Sequence, residues 1–219
     1  IKEYGSFSPP RYRGFKSMRD FLINLSQNLS ITQNVKVTNL KPHNEKISVL
    51  EDRNNIWETY DAVISTLPAP QNLDLMKKFP ILKKTLKTSS YDACISLMFF
   101  FNKKPKNIPY FFDYYNQQGI LNWMAAGSSL RFWTAHAQGD FSNINLNKDK
   151  MLIKNQIFSK KKKIIYPFEK NVKISFHGLH IWKYAKVKEV CSGPQIDPKF
   201  PIVVAGDFME GANIESAFS

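Results

Sequence analysis

The sequence is poor in cysteine and contains no long hydrophobic run. Its two cysteines, Cys94 and Cys191, are far apart and form no C-x-x-C pair. They predict free thiols in a reducing compartment, the cytoplasm, more than they predict a disulfide framework. The longest apolar run, residues 93–101, is too short to cross a membrane, and the first residues lack the pattern of a secretory signal peptide. We therefore expect no membrane partner.

Acidic residues and arginine are also scarce. There are 18 acidic residues against 31 lysines and arginines, which gives a formal net charge of +13. Such a charge is compatible with a nucleic-acid partner. However, the lysines are scattered apart from one run at 160–163, and only five basic residues are arginine, the side chain that reads bases best. The charge therefore favours a solvated basic surface over a nucleic-acid site.

The sequence does have enough apolar residues to form a core. It contains 219 residues, of which 43% are hydrophobic and 14% aromatic. This composition predicts a folded protein with one large domain or two small ones.

The first part of the chain predicts a mixture of helices and strands. Apolar residues recur at helical spacing over 18–29, after the N-cap residue Ser17. Residues 35–40 and 47–50 predict a hairpin with its turn at 42–44. Residues 61–67 predict a short buried strand that Pro68 ends, and residues 72–87 predict a helix that Pro80 interrupts.

The middle of the chain is aromatic and rich in β-formers. Residues 91–101, 121–126 and 131–137 predict successive strands of an antiparallel sheet. Residues 146–158 predict a helix, 172–184 a long strand, and 202–205 a closing strand after the loop 194–201. This order predicts an α/β (α+β) fold, in which a layer made from the chain ends is interleaved with the antiparallel sheet.

The closing strand leads into a glycine turn. Gly206 and Asp207 follow the strand directly, and Gly211 precedes a segment with a helical pattern. A strand, a tight turn and a helix start let the backbone approach a phosphate and direct free N–H groups at it. The same glycines are compatible with a plain strand-to-helix turn.

This segment resembles the C-terminal FAD-contacting motif of flavin-dependent amine oxidases and their renalase-like relatives. The motif reads G-D-x-x-x-G followed by x-x-x-E-x-A, and it is matched by Gly206, Asp207, Gly211, Glu215 and Ala217.

Four further segments resemble the same family in the same order. Residues 10–18 resemble its P-R-Y-x-G-x-x-G-M loop, with Ser17 in place of a glycine, and residues 60–71 resemble its Y-D-x-V-V-x-A-x-P-x-P-Q strand. Residues 133–137 resemble W-x-x-H-A, and residues 180–185 resemble H-x-W-R-Y-A with Lys183 in place of arginine. The ordered set, which spans nearly the whole chain, is more specific than any single motif.

The resemblance implies FAD as the cofactor. Asp207 would face its ribityl or pyrophosphate part, with Gly206 leaving room. The helix that begins after Gly211 would direct N–H groups at the flavin, including those of Asn213 and Ile214. Val37 matches the position whose backbone meets adenine in relatives, although the residue pattern alone favours a core valine.

The family also holds FAD through an N-terminal G-x-G-x-x-G turn, which this sequence lacks. The sequence starts at Ile1 and stops within a helical pattern, so we expect a fragment whose N-terminal dinucleotide-binding unit is missing. The resemblance then implies a partial FAD-binding domain of residues 1–70 and 195–219, and an antiparallel-sheet substrate domain of residues 71–194. On its own, such a piece is expected to be inactive.

The implied activity is that of an FAD-dependent oxidoreductase. A reduced small molecule would give a hydride to the flavin, which O₂ would reoxidise. The renalase branch implies a dihydronicotinamide isomer as substrate, and the amine oxidase branch implies an amine. His136, His180 and Trp182 lie in matching strands and are the candidate catalytic residues, although histidines and aromatic residues on strands are equally compatible with a structural role.

A second hypothesis is a non-catalytic basic domain that binds nucleic acid. It depends on the net charge and on aromatic residues within 110–115, which could stack on bases. We favour the flavoenzyme, which predicts a small-molecule partner and no nucleic acid.

Overall fold

The computed structural model describes residues 2–3, 12–13, 18–52, 57–106, 108–109, 111–113, 119–127, 129–165 and 173–211. The first part of the chain contains β1 (Lys2–Glu3), β2 (Tyr12–Arg13), α1 (Met18–Leu25), β3 (Val37–His43), β4 (Lys46–Glu51), β5 (Trp57–Tyr60), β6 (Val63–Ser65), α2 (Ala69–Leu75) and α3 (Pro80–Leu86). A short 3₁₀ helix, Met76–Lys78, separates α2 from α3.

The rest contains β7 (Ser90–Phe101), β8 (Phe111–Asp113), β9 (Leu121–Ala126), β10 (Phe132–Ala137), α4 (Gly139–Asn145), α5 (Lys150–Ile165), β11 (Ile174–Glu189) and β12 (Ile202–Val204). Within the described residues, no helix is both long and apolar enough to cross a membrane.

The chain divides into two compact units, of which one comprises Ile1–Ile31 and Cys94–Trp182. Its main element is a five-stranded sheet in the order β11-β7-β10-β9-β8. Trp133 and Ala135 of β10 are buried in one core with Ile153 of α5. Because side chains alternate along a strand, Thr134 and His136 lie on the opposite face of the sheet, where they are half-buried.

The other unit comprises Thr32–Ala93 and Lys183–Ser219. It contains the antiparallel sheet β3-β4-β5 and the parallel pair β6 and β12. Its core includes Leu40, Ile47, Phe79, Ile202 and Phe208. Residues 71–93 and 183–194 belong to this unit, whereas residues 1–31 belong to the unit of the five-stranded sheet. The ligand that each unit binds stays a prediction.

The predicted antiparallel sheet is confirmed. Residues 91–101, 121–126 and 132–137 lie in β7, β9 and β10, and β10 pairs antiparallel with both β7 and β9. The predicted hairpin also forms, but its turn lies at Asn44 and Glu45, because Pro42 is still paired with Ile47. Asn44 adopts a φ of 54°, a left-handed conformation that asparagine tolerates better than most residues.

The predicted helix over 146–158 was wrong at its start. Helix α4 ends at Asn145, before this range, and α5 begins only at Lys150. Asp149 caps α5, since its Oδ1 accepts hydrogen bonds from the N–H groups of Met151 at 2.8 Å and Leu152 at 3.0 Å.

Strand β5 was not predicted, because all four of its residues are exposed and show no apolar alternation. Its pairing with β4 is supported by a hydrogen bond of 3.1 Å between the Ser48 and Thr59 hydroxyls. The adjoining strand β6 is shorter than predicted and is not fully buried, since Ile64 is 68% exposed. Helix α1 ends at Leu25 and does not reach residue 29.

Candidate functional site

Strands β6 and β12 end at the same edge because they run parallel. Val63, Ile64 and Ser65 pair in register with residues 202–204. The N–H of Ala205 extends this ladder by donating to the carbonyl oxygen of Ser65 at 3.0 Å. In α/β sheets, ligands bind beyond the carboxyl ends of parallel strands. The segments that follow these two strands, residues 66–72 and 205–211, therefore form the candidate site.

Gly206 begins the turn after β12 with a φ of +152°. A Cβ atom at this position would lie 2.9 Å from the aromatic ring of Phe208. The Phe208 side chain is fully buried and has little room to move. The glycine is thus required by the packing of the turn itself, and its contact with a cofactor stays a prediction.

Asp207 is held by a phenol. The Tyr91 hydroxyl donates a hydrogen bond to Oδ1 of Asp207 at 3.1 Å, and the same hydroxyl accepts one from the N–H of Ala69 at 3.2 Å. Tyr91 thereby connects the turn after β12 with the first residue of α2.

The environment of Tyr91 keeps its hydroxyl protonated. Burial raises the pKa of Tyr91 well above its ordinary value of 10.0. The hydrogen bond from the Ala69 N–H lowers this pKa by less than burial raises it, and the negative charge of Asp207 adds a smaller increase. At neutral pH the phenol is therefore a permanent donor to the carboxylate.

The turn between β6 and α2 is fixed by Asn72, which is fully buried. Its amide donates to the carbonyl oxygen of Leu67 at 2.6 Å, and its side-chain oxygen accepts a hydrogen bond from the Ser65 hydroxyl. Helix α2 has Pro68 as its N-cap residue and Pro70 in its first turn, because a proline at a helix start loses no hydrogen bond that the helix needs. The residues after β6 thus form a rigid strand-turn-helix.

A cleft of about 790 Å³ lies beside the end of β6. Its lining is more apolar than polar, and the charged and amide residues that contribute to it are Lys36, Gln71, Asp74 and Lys77. The cleft is lined by Val37 and Ser65, among others, whereas Gly206 and Asp207 are not among the described residues that line it. Ser65 contacts both places, because its carbonyl oxygen accepts the Ala205 N–H.

Val37, the residue predicted to meet adenine, begins the edge strand β3. A β-bulge separates it from Asn39, since Val37 pairs with Glu51 and Asn39 pairs with Leu50. Bulges occur often at sheet edges, where they change the direction of a side chain. The side chain of Val37 packs against the core and also lines the cleft, so that both interpretations of the sequence are compatible with its position.

His136 lies on the half-buried face of the five-stranded sheet. It pairs with Ser96 of β7 and Trp123 of β9, and its ring centroid is 4.9 Å from that of Trp123. Burial lowers the pKa of His136 below its ordinary value of 6.5. The imidazole is therefore neutral at pH 7 and can accept or donate a proton.

His180 and Trp182 lie on β11 and are exposed, Trp182 by 54%. Their ring centroids are 4.2 Å apart, because alternate residues of a strand lie on the same face. Tyr184, two residues further along β11, contacts Tyr91 edge-on at 5.8 Å. His136 and His180 are not on neighbouring strands, because β7 lies between β10 and β11.

The burial of His136 predicts a loss of stability in mild acid. Below about pH 6.5 the unfolded chain takes up a proton that the folded protein resists, so the free energy of unfolding should fall as the pH falls through this range. We expect His136→Phe, which keeps a ring on Trp123, to show a smaller fall in melting temperature from about pH 7 to about pH 5 than the wild type. Replacement of the exposed His43 by glutamine is the control, and an equal fall in all three proteins would contradict the prediction.

Some predicted residues lie outside the described part of the chain. Gly211 is described; its φ is +148°, and its N–H donates to the Asp207 carbonyl oxygen at 2.9 Å. Asn213 and Ile214 lie outside the described residues, as do Ser17 and most of the loop that precedes it. Two of the aromatic residues proposed to stack on bases pack within the sheet unit, since Phe111 contacts Trp123 and Phe112 contacts Trp133.

Sequence patterns did not reveal the roles of Tyr91, Asn72 and Trp123. Tyr91 and Trp123 belong to segments that were predicted as strands, but nothing local shows which side chain they meet. Asn72 lies within the predicted helix. The local signal that a turn precedes it, which Asn72 fixes, was Pro68. Within the described residues, no group of three or more His, Cys, Asp or Glu side chains could hold a metal ion.

Comparison with known proteins shows the fold. No protein-family profile matches the chain, and no curated protein sequence matches it. One similar solved structure is titled "Putative protoporphyrinogen oxidase from Exiguobacterium sp. 255-15", with a TM-score of 0.61, 13% identity, and coverage of 93% of this chain and 49% of that protein. Another is a CLA-producing fatty acid isomerase from P. acnes, with a TM-score of 0.60, 12% identity, and coverage of 89% and 47%.

This chain has a mixed α/β fold with antiparallel sheets, and it shares this fold with the two solved structures. It spans about half the length of the solved structures that it resembles. The fold class expected from the sequence is thus confirmed.

Proposed function

We propose that this chain is part of an FAD-dependent oxidoreductase that removes a hydride from a reduced small molecule. The observation that supports this most strongly is the Gly206–Asp207 turn at the carboxyl end of the parallel pair, in a chain with this fold. The whole protein would act on a dihydronicotinamide isomer or an amine. O₂ would be the electron acceptor.

The residues around the cleft fit a flavin dinucleotide. A volume of about 790 Å³ lies within the range of about 300–1,000 Å³ typical of small-molecule sites. Its apolar lining suits an adenine ring, and its two lysines, Lys36 and Lys77, outweigh the carboxylate of Asp74 and suit a diphosphate. Asp207 would accept a hydrogen bond from a ribityl or ribose hydroxyl.

Bound flavin would supply the hydride-accepting ring, and the protein would supply position and electric field. The proposed catalytic groups are His136, His180 and Trp182. Trp182 offers a flat apolar surface on which a planar ring can stack, and the neutral His136 can accept or donate a proton. A planar dihydropyridine suits these aromatic side chains better than a flexible aliphatic amine does.

The test of this function is the flavin content of the purified protein. The complete reading frame that encodes the chain should be expressed, and the protein's visible absorption and the identity of any released cofactor should be measured. We expect bound FAD, or binding on titration. A protein that neither contains nor binds FAD would overturn the proposal, and steeply salt-dependent binding to DNA would favour the nucleic-acid alternative.

Asp207→Ala should lower the affinity for FAD. A hydrogen bond to a charged group contributes about 1.5–3 kcal/mol, which corresponds to a loss of roughly 10- to 100-fold in affinity. Most of the fold should persist, because Asp207 is only half-buried and lies in the turn after β12. Isothermal titration with FAD measures the loss, and an unchanged affinity would show that the motif is only a turn.

A further inference from the structure

We infer that Tyr91 is a positioning residue for the cofactor site, and that it acts by holding the carboxylate of Asp207. The inference rests on the proposed function. The Tyr91 hydroxyl donates to Oδ1 of Asp207 at 3.1 Å, although the two residues are 116 positions apart in the sequence. Tyr91 lies neither in the glycine turn nor in any segment that resembles a known motif.

The phenol is itself held in place from two sides. Its oxygen accepts the N–H of Ala69, the first residue of α2, at 3.2 Å. Its ring contacts Tyr184 edge-on at 5.8 Å. Free N–H groups at a helix start need an acceptor, and the Tyr91 oxygen is the acceptor for Ala69. The hydroxyl hydrogen is then directed at Oδ1 of Asp207, so that one orientation satisfies both partners.

This arrangement selects one orientation of the Asp207 side chain. A half-buried carboxylate in a turn can otherwise rotate about its side-chain bonds. With Oδ1 fixed by Tyr91, the second oxygen points in one direction and can accept a hydroxyl of the ligand without a further loss of rotational freedom. Burial also keeps the Tyr91 hydroxyl protonated, because it raises the pKa of the phenol.

A double-mutant cycle tests the inference. It uses the complete protein with Tyr91→Phe, Asp207→Ala and the double variant, and FAD affinity is measured by titration. Tyr91→Phe keeps the ring and removes only the hydroxyl, and it should weaken FAD binding roughly tenfold. If Tyr91 acts through Asp207, the double variant should bind FAD no more weakly than Asp207→Ala alone.

Tyr60→Phe is the matched control, because the Tyr60 hydroxyl also donates to a carboxylate, that of Glu58, but on the exposed strand β5. Its FAD affinity should stay within about twofold of the wild type. Circular dichroism shows whether each variant folds. If Tyr91→Phe does not fold, Asp207→Asn tests the same hydrogen bond from the acceptor side. Asparagine keeps an oxygen that can accept from the phenol, so this variant should lose less affinity for FAD than Asp207→Ala.

The outcomes separate the inference from the proposed function. If the wild-type protein binds no FAD, the proposed function falls and the inference falls with it. If the wild-type protein binds FAD but Tyr91→Phe binds it equally well, only the inference is overturned. The inference is also overturned if the affinity losses of the two single variants multiply in the double variant, because a merely structural role of Tyr91 would give independent effects. It is overturned as well if Asp207→Asn loses as much affinity for FAD as Asp207→Ala.

Discussion

Gly206→Ala should lower the free energy of unfolding by about 2–4 kcal/mol. Two causes add together. The φ of +152° is unfavourable for any residue with a side chain, and the new Cβ would lie 2.9 Å from the ring of Phe208. That ring cannot move away cheaply, because it is fully buried in the core of its unit. For a protein of this size, the melting temperature should fall by roughly 10 °C.

Gly119→Ala is the matched control, because a Cβ at Gly119 would have nothing within 4 Å. Its effect should stay within about 0.5 kcal/mol. The two causes at Gly206 are separated by repeating the substitution in a Phe208→Leu background. There the loss of stability due to the steric contact should shrink, and the loss due to the unfavourable φ should remain. Equal melting temperatures of Gly206→Ala and the wild type would show that the turn can relax, and would remove the packing role assigned to this glycine.

Trp133→Ala should destabilise the unit of the five-stranded sheet by about 3–5 kcal/mol. The indole is fully buried, and its ring contacts Phe99, Phe101 and Phe112. Its N–H donates to the Leu130 carbonyl oxygen at 3.0 Å. Removal of the ring leaves a cavity among other aromatic rings and an unsatisfied carbonyl oxygen, and rigid aromatic neighbours fill such a cavity poorly.

Trp182→Ala provides the comparison within the same residue type. Trp182 is 54% exposed and contacts His180, so its removal should cost no more than about 1 kcal/mol. In the flavin-loaded protein, the rate of flavin reduction should nevertheless fall for Trp182→Ala if this side chain contacts the substrate. Urea unfolding followed by circular dichroism measures the two stabilities, and similar losses for the two variants would contradict the assignment of Trp133 to the core and Trp182 to the surface.

These two tryptophans show how far the sequence could be interpreted. Both lie on strands that also carry a candidate histidine, and the sequence alone was compatible with a structural role for the aromatic residues of such strands. Alternation along β10 tells which residues share a face, but not which face the helices cover. Only the packing of α5 against Trp133 and Ala135 decides that Thr134 and His136 are on the other side.

The errors in secondary structure have local physical causes. Strand β5 carries no apolar alternation because all four of its residues are exposed, and its pairing with β4 is what makes it a strand. The helix over 146–158 was misplaced because Asp149 acts as an N-cap and starts a new helix. Helix propensity and hydrophobic periodicity predict the start of a helix poorly where a single side chain caps it.

By itself, the sequence determined the antiparallel aromatic sheet, the closing strand and the Gly206–Asp207 turn, because alternation, β-branched runs and glycine conformation are all properties of short segments. The tertiary structure alone decided that the Asp207 carboxylate meets the hydroxyl of Tyr91, and that His136 is shielded while His180 is exposed. Contacts of this kind join positions far apart in the chain. They depend on strand order and helix packing, which no short segment encodes.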